Sequence, residues 1–139
     1  MILVCPSIIF GEELARRLPP SNRVYAYRLM QPVPENMVPG FHIPPWMGVS
    51  HGQDVFYLFM PQLLAPFREA RLLSHRMVED WAAFAGAGRP ENALWKEAVN
   101  REAGDFNTTY LHFESGNMKF VSGGFTELCG RLWRPIIFP

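Results

Sequence analysis

The stretch Pro44–Phe59, PPWMGVSHGQDVFYLF, decides how this chain is read. It opens on two prolines and Trp46, then sets His51 between Gly48-Val49-Ser50 and Gly52, directly ahead of an aromatic run. Prolines and glycines at this density make the histidine a loop residue. The run from Val55 to Phe59 is apolar and needs a core to bury it. Upstream, residues 31–50 also hold Pro32, Pro34 and Pro39. That is a long irregular connection, and such connections inside compact domains often carry function.

Regular elements flank this loop. FGEELARRLPPS, residues 10–21, predicts a short helix with Phe10, Leu14 and Leu18 on one face, stopped by Pro19-Pro20. RVYAYRLM, residues 23–30, predicts a strand buried on both faces, as in a parallel sheet. REARLLSHRMVEDWAAFAGAG, residues 68–88, gives the clearest helix. Leu73, Met77, Trp81 and Phe84 fall at helical spacing, Glu79 and Asp80 belong to the polar remainder, and Gly86, Gly88 and Pro90 end it. TYLHFE and KFVSGG predict a hairpin about Ser115-Gly116-Asn117. FTELCGRLWR, residues 125–134, predicts a last amphipathic helix weakened at Gly130. A single strand of parallel character cannot make a sheet, and the hairpin supplies it no parallel neighbour. The chain reads as an α/β domain whose first strands are missing.

With 139 residues there is room for one domain at most. The chain is 48% apolar and 19% charged, which excludes a disordered or membrane-spanning composition. Zero formal net charge and no basic run give nucleic acid or an anionic membrane no electrostatic support. The start, MILVCPSIIFGEELARR, lacks a basic n-region and is interrupted by Pro6, so it reads as folded sequence and not as a signal peptide. Cys5 and Cys129 fit buried free thiols or a disulfide equally well.

Chemistry-bearing motifs are few. There is no phosphate loop, zinc spacing or calcium loop. His42 and His51 lie nine residues apart in loop sequence, poor spacing for a metal pair. His75 belongs to the polar side of the long helix, and His112 reads as a surface residue of the hairpin strand. Asn107-Thr108-Thr109 fits a glycosylation acceptor. No Gly-x-Ser-x-Gly elbow occurs, Ser122-Gly123-Gly124 lacks its first glycine, and Ser50 is too close in sequence to His51 to pair with it. The chain therefore holds a candidate base, His51, and no matching nucleophile.

Several segments together resemble the type-B carboxylesterases and cholinesterases. WMGVSHGQDVFYLF is similar to that family's histidine loop, which runs Trp, small residue, Gly, two residues, His-Gly, an acidic residue and an apolar-aromatic, strand-like run. VCPSIIF resembles the Cys-Pro segment ahead of a helix, and RVYAYRL the strand before the histidine loop. LLSHRMVEDWAAFAGAGRP with Trp95 resembles the following helix, and ELCGRLW the final cysteine region. The likeness covers essentially all 139 residues. Two departures, Phe59-Met60 for Phe-Gly and Trp95-Lys96 for Trp-Pro, lie away from the chemistry.

The resemblance implies an α/β-hydrolase fold of which residues 1–139 are the C-terminal part, incomplete on the N-terminal side. Only the triad histidine maps here, onto His51; the serine elbow, oxyanion-hole glycines and triad acid would precede Met1. His51 would accept the serine proton during attack and return it to the leaving alcohol. Gly48 and Gly52 would let the backbone approach the site closely, and Asp54 would be a supporting carboxylate behind the histidine. Cys5 and Cys129 match a family disulfide. The expected activity is hydrolysis of a neutral or apolar small-molecule ester through an acyl-enzyme, with no cofactor or metal. Expected partners are the remainder of the hydrolase domain and a possible second copy, with neither nucleic acid nor a membrane span, in a secreted or ER-lumenal setting. Two other readings differ in class: a cholinesterase-like adhesion or structural domain, and a self-standing binding domain. An upstream elbow lacking serine would favour the first, and a monodisperse isolated chain the second.

Overall fold

The computed structural model describes residues 3–40, 42–99, 108–123 and 126–137. It holds helices α1 (Val4–Arg17), α2 (Gln53–Phe59), α3 (Pro61–Leu64), α4 (Arg68–Ala87), α5 (Thr126–Leu132) and α6 (Arg134–Ile137). Strands β1 (Tyr27–Leu29), β2 (Thr109–Phe113) and β3 (Lys119–Ser122) form one sheet in the order β1-β2-β3. Helices with a small mixed sheet are what an α/β fragment should contain. The chain divides into two compact units, residues 1–26, 95–111 and 120–139, and residues 27–94 and 112–119.

The first unit is organised by α1. The helix starts at Val4, so the Cys-Pro segment is its first turn and not a lead-in. Pro6 is tolerated there because a first-turn residue has no helical acceptor for an N–H anyway. The face that packs is also shifted from the expected one. Cys5, Ile9, Glu12 and Ala15 are buried, while Phe10 is 64% exposed. A disulfide joins Cys5 to Cys129 of α5, and Ile9 packs with both, flanked by Ile8 and Trp133. That covalent anchor fixes which stripe of α1 faces inward.

Glu12 is buried on the same stripe and is compensated. It receives Arg134 Nη2 at 2.6 Å and the Thr108 hydroxyl at 3.3 Å, while Arg134 Nη1 reaches Glu13 at 2.9 Å. Burial pushes the Glu13 carboxyl up, but Arg134 and Arg16 outweigh it and hold it below the usual carboxylate range. The expected single last helix is two helices, because Pro135 has no N–H to continue the ladder of α5 past Trp133. Phe125, its expected first residue, lies outside the described residues.

In the second unit α4 runs for 20 residues and ends at Gly88, which adopts φ +69° and donates its N–H to the Phe84 carbonyl at 2.8 Å. Leu73 and Met77 are buried as expected. Trp81 packs edge-on against Tyr27 and Phe113, with centroids 4.7 and 5.6 Å away. Phe84 is exposed and Asp80 is buried, the reverse of expectation. The Asn92 N–H donates to Asp80 Oδ1 at 2.7 Å, which ties the chain beyond Pro90 to the helix and gives the carboxylate a reason to be inside. Burial pushes the Asp80 carboxyl above its ordinary range. His75 is exposed, as expected. His112 is half-buried instead of on the surface, because its strand is the middle one of three.

The strand expected over 23–30 is assigned only over Tyr27–Leu29, with Arg28 exposed and Leu29 buried, so it is not covered on both faces. Its pairing is nonetheless parallel. Leu111 N–H donates to the Ala26 carbonyl at 3.1 Å and Met30 N–H to the Phe113 carbonyl at 2.9 Å, so both partners advance together along the chain. The first strand of the hairpin is therefore the parallel neighbour that local sequence patterns did not supply. The chain can return parallel because α2, α3 and α4 all lie in the connection between them.

Candidate active site

His51 stands in a turn, His51-Gly52, between a short 3₁₀ segment at Pro45–Met47 and α2. Its side chain is exposed. It borders a cleft of about 310 Å³ lined by Ile43, Pro44, Met47, Gly52 and Phe56 together with the polar residues His42, Ser50, His51 and Gln53. The structure therefore brings the two loop histidines to one cleft. Among the described residues no group of three or more His, Cys, Asp or Glu could hold a metal ion.

The local backbone explains the glycines. Gly48 has φ +54° and ψ −136°, a region open essentially to glycine alone, and Gly52 has φ +83° and ψ −1° as the residue preceding α2. A Cβ at either position would meet nothing within 4 Å. Within this chain both glycines answer to their dihedrals and not to crowding.

The aromatic run after the histidine is helix α2, where a strand-like run was expected. A helix suits it because Gln53 and Tyr57, four residues apart, are its buried positions, and Val55 and Phe59 are exposed. The helix fixes the histidine loop, but through polar anchors as much as apolar ones. Gln53 Oε1 accepts from the Val33 N–H at 2.9 Å, and Nε2 donates to the Gly48 carbonyl and the Ser50 hydroxyl, both at 3.0 Å. Tyr57, fully buried, donates to the Pro32 carbonyl at 2.9 Å, and its own carbonyl accepts from the Ser74 hydroxyl of α4 at 2.5 Å. Burial pushes the Tyr57 hydroxyl up to about 12, against a smaller opposing effect of the Gln31 side chain.

Asp54 lies in the first turn of α2, where a carboxylate complements the helix dipole. It accepts the Tyr27 hydroxyl at 2.6 Å. Burial first, then this carboxylate, hold the Tyr27 hydroxyl well above its ordinary value. Ser50 is occupied by Gln53. Asn107 lies outside the described residues. Gln53, Tyr27 and Tyr57 do not stand out in the sequence as site residues. For Gln53 the local sequence carries no signal, because glutamine is mostly a surface residue and nothing adjacent marks this one as buried.

Chemically, the arrangement offers an accessible imidazole at the rim of a mostly apolar cleft, on a loop tied down on both sides. It can exchange a proton with a bound molecule. The described residues offer it no serine elbow. No helix among them is long and apolar enough to cross a membrane.

A sequence model described as the carboxylesterase family matches residues 1–126. The acetylcholinesterase of Bungarus fasciatus is 34% identical over 100 residues, which is 70% of this chain and 15% of that relative. The acetylcholinesterase of Gallus gallus is 32% identical over 97 residues, 66% of this chain and 11% of that relative. The chain thus spans a small part of the length of the relatives it matches.

Proposed function

The chain belongs to the carboxylesterase family, and from that premise we propose that it is the C-terminal part of a carboxylic-ester hydrolase domain and supplies the histidine of its catalytic triad. In this reading His51 takes the proton of a serine hydroxyl contributed by preceding sequence as that oxygen attacks the ester carbonyl. It then gives the proton to the departing alkoxide, and repeats the cycle with water to release the acid. The nucleophile, the oxyanion donors and the triad acid belong to the remainder of the domain, the partner this chain requires. Asp54, bonded to Tyr27, supports the loop and is not the triad acid.

The observation that carries this reading is the exposed His51 imidazole at the rim of a cleft, on a loop held by α2. Ile43, Pro44, Met47 and Phe56 line that cleft and favour a neutral or apolar ester. The Cys5–Cys129 bond supports passage through an oxidising compartment, secreted or ER-lumenal. A fluorophosphonate probe tests the proposal in the complete protein. One serine should be labelled, and His51→Ala should abolish labelling while His75→Ala leaves it intact. Undiminished labelling of the His51→Ala protein would remove the histidine from the mechanism.

A further inference from the structure

Gln53 has a burial and a bonding pattern that packing alone does not demand. It is 2% exposed. Its amide uses Oε1 for the Val33 N–H and Nε2 for both the Gly48 carbonyl and the Ser50 hydroxyl. Two of these partners lie within the three residues before His51, and Gln53 itself lies two residues after it. The Gln53 N–H also meets the Ser50 carbonyl at 3.4 Å. The side chain therefore closes a ring around the histidine and ties that ring to Val33.

Beside these bonds the loop has its local backbone turns, with the Gly48 N–H on the Pro45 carbonyl at 3.1 Å and the Val55 N–H on the Gly52 carbonyl at 3.2 Å. Gly48 and Gly52 carry no side chains, and a Cβ at either would meet no neighbour within 4 Å. Among the described residues the His51 imidazole makes no hydrogen bond or ion pair, so its placement depends on its backbone. A primary amide suits this role because it offers two donors and an acceptor in one rigid plane. A hydroxyl or a carboxylate in its place could not satisfy the same three groups.

We propose that Gln53 is the positioning residue for His51, fixing residues 48–52 so that the imidazole meets its substrate in a reactive geometry. The claim rests on the reading of His51 as general base, because only then does the geometry appear in the rate. Misplacing a reacting group by about 1 Å costs on the order of 100-fold in rate. Loss of Gln53 should therefore lower kcat and leave KM nearly unchanged.

The test uses the complete protein with Gln53→Leu and Gln53→Glu. Leucine removes all three bonds; glutamate keeps an acceptor for Val33 and loses both donors. Both should lower kcat roughly 10- to 100-fold at near-constant KM, and both should speed amide hydrogen exchange at residues 48–52 without changing exchange in α4. Ser50→Ala, which removes one of the two acceptors, should give a smaller shift in the same direction and serves if the Gln53 variants do not fold. Wild-type exchange at 48–52 in a folded variant overturns the proposal, as does accelerated exchange with unchanged kcat. A His51→Ala protein that retains turnover would instead refute the general-base reading. The exchange measurement would then decide alone whether Gln53 holds the loop.

Discussion

Tyr27 of β1 and Asp54 of α2 are joined by a 2.6 Å hydrogen bond in which the phenol donates to the carboxylate. The bond spans 27 residues of sequence and ties the strand to the helix turn that directly follows His51-Gly52. A hydrogen bond to a charged acceptor is shorter and stronger than a neutral one. Replacing Tyr27 with Phe keeps the ring contacts to Trp81 and Phe113 and removes only the hydroxyl. The cost should be about 1–3 kcal/mol of unfolding free energy, read from denaturant midpoints at constant slope. An unchanged midpoint would show that water replaces the phenol at Asp54 without loss.

The same phenol sets an alkaline limit. Tyr27 and Tyr57 hold their protons more tightly folded than the ordinary value of about 10. Their contribution to stability is then fully present below about pH 10 and is lost as pH rises through the raised values. Tyrosinate absorbance should show these two of the chain's four tyrosines still neutral in the folded protein as pH passes 10, ionising only as it unfolds. All four ionising together near pH 10 in a folded protein would contradict this.

On the acid side the group to watch is His112. Burial first, then Arg28 and Lys119, push its imidazolium below the ordinary value of 6.5, with Glu114 opposing. A lowered folded value means that the stability it contributes is present above about pH 6.5 and lost as pH falls through the lowered value. His112→Gln should flatten the fall in stability between about pH 7 and about pH 5. If the variant and the wild type fall in parallel, the imidazole is not responsible.

Much of this architecture was legible in the sequence, and the failures have physical causes. The α4 periodicity, the hairpin and the loop character of residues 31–50 came from local signals that tertiary packing did not override. The parallel pairing of β1 with β2 was not legible, because pairing across some 80 residues of chain leaves no local trace. Nor was the face of α1, which is chosen by the disulfide and by the Glu12–Arg134 pair instead of by Phe10. In the site, His51 and Asp54 were visible as types in a pattern. Gln53 was not, because amides are common on helix surfaces. Sequence also does not distinguish a glycine needed for space from one needed for its dihedrals, and Gly48 and Gly52 both adopt positive φ.

That distinction can be measured. Gly52 is in the left-handed helical region, which asparagine tolerates, so Gly52→Asn should cost less than Gly52→Val. Gly48 is in a region that no side-chain-bearing residue adopts readily, so Ala and Asn should both cost of order 1–3 kcal/mol there. Equal tolerance of Asn at both positions would mean that the loop dihedrals do not constrain it.

The Cys5–Cys129 bond closes a loop of 124 residues. Chain-entropy reasoning assigns such a closure about 4–5 kcal/mol. The Cys5→Ser/Cys129→Ser double variant should lose stability on that scale, most of it from the unit built on α1. A loss under about 1 kcal/mol would show that the unfolded chain is already restrained without the bond.

The central claim, that His51 is the proton-transfer residue of an esterase, is tested most directly by turnover per correctly folded molecule of the His51→Ala complete protein on a neutral ester. His42→Ala is the control that shares the cleft, and His75→Ala the control that does not. His51→Ala should lose roughly 10³-fold or more in kcat, with KM little changed, because the oxyanion donors and pockets remain. Turnover within a fewfold of wild type in a folded His51→Ala protein would contradict it.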